Sequence, residues 1–75
     1  MKKVLIHLQG MQEIKDFVNM LQKHQGDFDL KSGRYVTDAK SLLGIFSLDL
    51  TGWLELVIHQ EDETIMHELE TYMQK

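Results

Sequence analysis

The spacing of apolar residues predicts strands and helices in alternation along the chain of 75 residues. In residues 3–8, apolar side chains recur at every second position, which is typical of a strand with one buried face. From Met11 the spacing changes to three and four residues, which predicts an amphipathic helix. Gly26 is a plausible terminator of this helix, because glycine readily adopts the left-handed conformation that ends helices.

The second half of the chain continues the alternation. Ser32-Gly33 is a hairpin signal that separates two predicted short strands, over 27–31 and 34–37. The short apolar segment 42–46 predicts a helix, and Ser41 is its natural N-cap because the hydroxyl can accept from amides of the first turn. A strand is predicted over 53–59, and a last helix is predicted to begin near Asp62.

This order, β-α-β-β-α-β-α, predicts a single α+β domain over residues 1–75, an open-faced sandwich with helices on one face of an antiparallel sheet. Two residues of the sheet, Glu55 and His59, are expected in solvent. The predicted core on the helix side comprises Phe17, Val18, Leu21, Leu56, Ile65 and Leu69. Three methionines, Met11, Met66 and Met73, fall on the apolar stripes of the helices and are expected to pack there.

Composition and charge narrow the range of functions. The chain has 43% hydrophobic and 27% charged residues and lacks cysteine, which excludes a disulfide scaffold and thiol chemistry. Residues 1–48 carry seven basic and five acidic side chains, whereas residues 49–75 carry one and seven. This acidic third argues against nucleic-acid binding, and the apolar runs are too short to span a membrane. We therefore expect a cytoplasmic protein.

One stretch of sequence resembles a known family. Residues 37–48, Thr-Asp-Ala-Lys-Ser-Leu-Leu-Gly-Ile-Phe-Ser-Leu, are similar to the segment around the regulatory serine of HPr, the histidine-containing phosphocarrier of the bacterial sugar phosphotransferase system. The resemblance implies an HPr-like fold. It also implies that a serine kinase modifies Ser41 and that Leu42, Leu43 and Phe46 dock partner proteins. A phosphate at a helix start would meet free amides and the positive end of the helix dipole.

The chain departs from the family where the family's chemistry lies. HPr carries a phosphate on a histidine at the start of the first helix, followed by an arginine and a proline. A gapless alignment places Gly10, Gln12 and Glu13 at these three positions. Glycine offers no nucleophile, and a glutamate would repel a phosphate. We therefore expect no catalytic residue, no phosphohistidine transfer and no cofactor.

Other candidate sites are less convincing. His7 lies upstream of the phosphotransfer position, and the strand pattern directs its side chain to the open face of the sheet. His59 and His67 lack metal-ligand spacing, and His7 and His59 are expected at opposite ends of their strands, so no metal is expected. An acid–base site is a further alternative, but a solvated helix face explains the same acids better: Glu61, Asp62, Glu63, Glu68 and Glu70.

Three functional hypotheses remain open. The chain is an HPr-like regulatory or protein-binding module without phosphohistidine transfer, whose partners are proteins of the phosphotransferase system or a transcription regulator. Alternatively, it is a divergent phosphocarrier in sugar uptake that uses another site. A third alternative is a small interaction domain unrelated to phosphotransfer. Labelling by enzyme I and phosphoenolpyruvate separates the second hypothesis from the others, and partner binding that depends on phosphorylated Ser41 separates the first from the third.

Overall fold

Four strands and three helices alternate along the chain in the order that the sequence predicts. The structure is a computed structural model that describes residues 1–60 and 63–73. The elements are β1 (Lys2–Ile6), α1 (Gly10–Gln22), β2 (Phe28–Ser32), β3 (Tyr35–Asp38), α2 (Leu42–Phe46), β4 (Leu54–Ile58) and α3 (Glu63–Leu69). The predicted start of the last helix, at Asp62, and its neighbour Glu61 lie outside the described residues.

The strands form one antiparallel sheet in the order β1-β4-β2-β3. In the pairing of β4 with its two neighbours, Leu56 lies opposite Val4 on one side and opposite Leu30 on the other. Because side chains alternate along a strand, these three apolar residues share one face of the sheet. The α+β open-faced architecture is therefore confirmed.

The core lies between this face and the helices. All six residues predicted for it are buried: Phe17, Val18, Leu21, Leu56, Ile65 and Leu69. Burial of such side chains contributes about 1.5–3 kcal/mol each before the entropy of ordering the chain is subtracted. His59 is exposed and Glu55 is half-buried on the opposite face, so the predicted strand register is correct.

Three details differ from the sequence prediction. β1 ends at Ile6 instead of residue 8, because the backbone N–H of His7 donates to Tyr72 O (2.8 Å) and Ile6 forms a bridge with Met73. Met11 is 61% exposed, whereas a core position was predicted. Val57, on the open face, is only 2% exposed. Its register partners on the adjacent strands bear long or charged side chains that can cover a central strand.

The described helices are short, and the longest of them, α1, has 13 residues. None of those in residues 1–60 and 63–73 is long and apolar enough to cross a membrane.

Candidate functional site

The start of α1 places Gly10, Gln12 and Glu13 at the positions that the family resemblance identifies for phosphate transfer. Gly10 opens the helix with φ +75°, in the left-handed region that favours glycine. Gln9 precedes it without capping the helix through its side chain. The amide Nε2 of Gln12 donates to Asp16 Oδ1 (3.0 Å), and Glu13 is half-buried. These side chains present neither a nucleophile nor a cation to a phosphate.

A shallow depression lies beside this helix start. His7, Gly10 and Met11 line one side of it, and Phe46 and Leu50 line the other. It forms because the end of β1, the first turn of α1 and the segment after α2 meet there. The depression therefore joins the start of α1 to the surface of α2.

His7 occupies a different place from the one that the strand pattern predicts. It lies after β1 and is half-buried, and its ring centroid is 5.2 Å from that of Trp53 at an interplanar angle of 49°. Its Nδ1 is 3.4 Å from Gln9 Nε2. The prediction that His7 faces the open side of the sheet stays a prediction: His7 is among the residues that line the depression, and its ring packs against Trp53, which precedes Leu54 at the start of β4.

The short helix α2 presents apolar side chains to solvent. Leu43 is 83% exposed and Phe46 is 41% exposed, whereas Ile45 is buried and Leu42 packs partly against the core. Residues three apart on a helix are neighbours, so Leu43 and Phe46 adjoin each other. Phe46 in turn borders the depression with Met11 and Leu50. We call these four residues, Leu43, Phe46, Met11 and Leu50, the apolar patch.

Ser41 caps α2 as the sequence predicts. The backbone N–H of Gly44 donates to Ser41 Oγ (3.1 Å), and the N–H of Ile45 donates to Ser41 O (3.0 Å). Such an N-cap stabilises a helix by about 1 kcal/mol. The residue is half-buried, so its hydroxyl is committed to the helix start and only partly open to solvent.

The cation next to Ser41 points elsewhere. Lys40 Nζ donates to His24 O (2.8 Å) and lies 5.4 Å from the centroid of the Phe28 ring. Its backbone carbonyl accepts from Gln22 Nε2 (3.5 Å). Lys40 therefore joins the end of α1 to the loop before α2, and in this arrangement its charge is engaged away from the Ser41 hydroxyl.

Two ionisable side chains near the depression have shifted pKa values. Hydrogen bonds from Thr51 Oγ1 (2.6 Å) and Thr51 N (3.0 Å) lower the pKa of Asp49 from its ordinary value of 3.8. Partial burial raises the pKa of Tyr72 above 10.0, and negative charges on neighbouring acids, Asp16 first, raise it further. Asp49 therefore stays negative next to Leu50, which lines the depression.

Two further histidines lie close to carboxylates. His59 Nε2 lies 2.7 Å from Asp29 Oδ2, and His24 Nε2 lies 2.8 Å from Glu68 Oε2. The strand register places His59 next to the Ile58 end of β4, opposite the end near His7. In the part of the chain that the structure describes, no group of three or more potential ligands is arranged to hold a metal ion.

Comparison with known proteins supports the fold. No protein-family model matches the chain, and no curated protein matches it in sequence. Among solved structures, the chain is similar to HPr-C-His from Thermoanaerobacter tengcongensis, with a TM-score of 0.78 and 22% sequence identity. The alignment covers 95% of this chain and 88% of that one. The chain therefore has an HPr-like fold.

Sequence reasoning missed half of the apolar patch. The segment 42–46 identified Leu43 and Phe46, but Met11 was assigned to the core and Leu50 had no predicted role. These residues are distant in sequence and meet only because α1 and α2 begin and end at the same edge of the molecule. The nearest sequence signal for the exposure of Met11 was its position in the first turn of the helix, because a helix end can extend beyond the core.

Proposed function

We propose that this chain is an HPr-like protein-binding module of the bacterial cytoplasm that does not transfer phosphate through histidine. The observation that supports it best is the apolar patch, which lies beside a helix start whose first residue, Gly10, has no side chain. Its partners are proteins of the sugar phosphotransferase system or a transcription regulator that recognises HPr.

The chemistry of the helix start supports the part of the proposal that excludes phosphate transfer through histidine. Phosphoryl transfer needs a nucleophile that titrates near neutral pH and donors or cations around the phosphate. Gly10, Gln12 and Glu13 provide neither. Glu13 and Asp16 both raise the pKa of nearby Tyr72, which supports a negative potential on this side of α1. A phosphate brought here would be repelled.

The exposure of the apolar patch supports the part of the proposal that assigns protein binding to the chain. Leu43 is 83% exposed, and its complete burial by a partner would contribute about 1.5–3 kcal/mol. The aromatic ring of Phe46 adjoins it, and aromatic anchors surrounded by weaker contacts dominate many interfaces. Because Asp49 lies next to Leu50, we expect a partner that combines an apolar anchor with basic side chains.

The first test is phosphorylation. Incubation with enzyme I and labelled phosphoenolpyruvate is expected to leave the chain unlabelled, while HPr in the same reaction takes up acid-labile phosphate. Labelling of any histidine of this chain at the rate of HPr would refute the loss of transfer. In that case His7→Gln identifies whether the imidazole beside the depression has replaced the missing residue.

The second test is binding. Titration of the isotope-labelled chain with enzyme I, a sugar-specific carrier protein or an HPr-dependent transcription regulator is expected to shift amides of α2 and of the first turn of α1. Leu43→Ala is expected to weaken the interaction about tenfold, which corresponds to 1.4 kcal/mol. Leu5→Ala is a matched control, because Leu5 is 48% exposed on the other face of the sheet. Equal losses in both variants, or no binding to any of the three proteins, would argue against the proposal.

The role of Ser41 follows from the same proposal. A phosphate adds about −1.5 to −2 units of charge at pH 7, next to the exposed Leu43. Ser41→Asp retains an N-cap and adds a negative charge, whereas Ser41→Asn retains the cap without the charge. We expect only the aspartate variant to change the affinity for a regulator. Identical affinities of both variants for the regulator would argue against a regulatory role for Ser41.

The alternative of a divergent phosphocarrier has one observation in its favour. His7 borders the same depression as Gly10, so an imidazole is present near the family's position although it enters from the end of β1. Packing of its ring against Trp53 argues against this use. The labelling experiment with His7→Gln decides between the two.

A further inference from the structure

One edge of the sheet is open to solvent. At the other edge, β1 meets the segment after α3 through the bridge between Ile6 and Met73. Among the described residues, β3 pairs with β2 alone. Two consecutive residues of β3 expose large apolar surfaces, since Tyr35 is 73% and Val36 is 54% exposed.

This edge lacks the usual protection against pairing. Natural edge strands are commonly blocked by lysine, proline or a bulge. The strand Tyr35–Asp38 contains neither lysine nor proline, and its register with β2 is uninterrupted. An unprotected, exposed edge is a template for the addition of another strand.

The hairpin geometry fixes which backbone groups face outward. A loop of Gly33 and Arg34 joins β2 to β3, with Gly33 at φ +59°. In a hairpin with a two-residue loop, the flanking residues exchange hydrogen bonds and the bonding then alternates along the strands. Tyr35 and Thr37 therefore bond toward β2. The N–H and C=O of Val36 point to the open edge.

We propose that a second copy of this chain pairs with β3 in antiparallel fashion, centred on Val36, to form a continuous sheet of eight strands. Val36 then lies opposite Val36 of the partner subunit, and the two exchange hydrogen bonds. This register also brings Arg34, in the loop directly before β3, close to Asp38 of the partner subunit, and the reverse, so opposite charges approach each other twice. Tyr35 lies opposite Thr37 of the partner subunit on the helix side of the sheet.

Charge complementarity favours a second copy over an unrelated strand. Arg34 and Asp38 are both exposed, and they are related by the two-fold symmetry that antiparallel self-pairing requires. Asp38 Oδ1 accepts from Lys40 N (2.9 Å), which leaves its second oxygen for the arginine. Opposite-charge pairs directly across two strands stabilise pairing, and like charges destabilise it.

The association is expected to be weak. Two strands of four or five residues bury less than the roughly 1,200 Å² found in stable interfaces. We therefore expect a monomer at micromolar concentration and a dimer approaching 1 mM, where binding corresponds to about −4 kcal/mol. Analytical ultracentrifugation over this range measures the dimer, and the amide of Val36 is expected to gain protection from hydrogen exchange as concentration rises.

The decisive test exchanges the two charges. Arg34→Asp places like charges opposite each other, and we expect at least tenfold weaker dimerisation. The combined variant Arg34→Asp/Asp38→Arg restores complementarity only in the proposed register, and we expect dimerisation within about threefold of the wild type. Since Asp38→Arg removes the contact with Lys40 N, thermal unfolding of the double variant verifies that the fold is retained. If that variant fails to fold, Val36→Pro tests the same edge, because proline removes the outward-facing N–H of an edge strand without removing a hydrogen bond to β2. We expect it to abolish dimerisation, and a dimer that forms unchanged would overturn the proposal.

The outcomes discriminate this interface from the apolar patch. Dimerisation that is lost in Arg34→Asp and kept in Leu43→Ala supports the proposal. A chain that stays monomeric near 1 mM overturns it, as does a dimer that Leu43→Ala abolishes or that Arg34→Asp leaves unchanged. None of these results alters the test with enzyme I, so the two proposals stand or fall separately.

Discussion

Gly44→Ala tests the close approach of α2 to β3. A Cβ built on Gly44 overlaps Thr37 Oγ1 and lies 3.1 Å from Thr37 Cβ and 3.2 Å from Ser41 Oγ. Thr37 is β-branched and belongs to a strand, so few rotamers are available for it to withdraw. The added methyl group must therefore move α2, distort the Ser41 cap or rotate Thr37.

Two opposing effects set the magnitude. Alanine favours a helix over glycine by about 1 kcal/mol, whereas overpacking of a tight contact costs about 1–3 kcal/mol. We expect the steric effect to dominate, so that Gly44→Ala lowers the free energy of unfolding by up to about 2 kcal/mol. In a Thr37→Ala background the obstruction is reduced to the Cβ contact, and Gly44→Ala should become neutral or stabilising. The coupling energy between the two positions should lie within the 0.5–3 kcal/mol typical of residues in contact, about 1 kcal/mol or more.

Urea denaturation of the four proteins in this double-mutant cycle measures the effect. The free energy of unfolding of a small domain falls by about 1 kcal/mol per molar urea. The Gly44→Ala variant should therefore unfold at a distinctly lower urea concentration than the wild type. Gly52→Ala is the control, because a Cβ there meets no atom within 4 Å. If Gly44→Ala is stabilising in the wild type, or equally destabilising with and without Thr37, the proposed contact does not limit the packing of α2.

Three further predictions rest on separate parts of the fold. Phe17→Ala should lower the free energy of unfolding by about 3–5 kcal/mol in chemical denaturation, because Phe17 is 0% exposed and packs edge-on against Tyr72 at 5.3 Å; a loss below 1 kcal/mol would contradict its place in the core. Ser41→Ala should cost about 1 kcal/mol through the lost cap, whereas Ser41→Asn should cost much less. The phenol of Tyr72 should ionise above its ordinary pKa of 10.0, so the stability linked to its neutral form is present below pH 10.0 and lost as pH rises through the higher folded value. An ultraviolet titration in a Tyr35→Phe background measures this, and Asp16→Asn should reduce the shift.

The fold was predictable because each element has its own periodicity. The stripe at Ile14, Phe17 and Leu21 spans the helix α1, and the alternation from Leu54 to Ile58 spans β4. Ser41 marked the start of α2 at the observed residue, since a side-chain cap acts over three positions. These signals are local, so a sequence reports them without knowledge of tertiary structure.

The surroundings of the candidate site depend on contacts between residues that are distant in sequence, and the sequence pattern did not predict them. The end of β1 depends on Tyr72 and Met73, which pair with the chain just where the apolar alternation of residues 3–8 would have continued the strand. As a result, His7 lies after the strand, where it lines the depression beside α1. Likewise, the engagement of Lys40 with His24 O requires knowing how the end of α1 meets the loop before α2. Long-range backbone pairing and packing, which the sequence pattern does not encode, set all three arrangements.

The apolar character of Leu43 and Phe46 requires an explanation beyond folding. A helix of five residues has one inward face, and Ile45 and Leu42 already occupy it. Since Leu43 is 83% exposed, its replacement by a polar residue would remove almost no buried apolar area from the core. Single exposed apolar residues are common on protein surfaces, but contiguous ones usually mark an interaction site. Phe46, Met11 and Leu50 extend Leu43 into a contiguous apolar region, which supports the proposed docking surface, and the tight contact at Gly44 holds α2 in the position from which Leu43 faces outward.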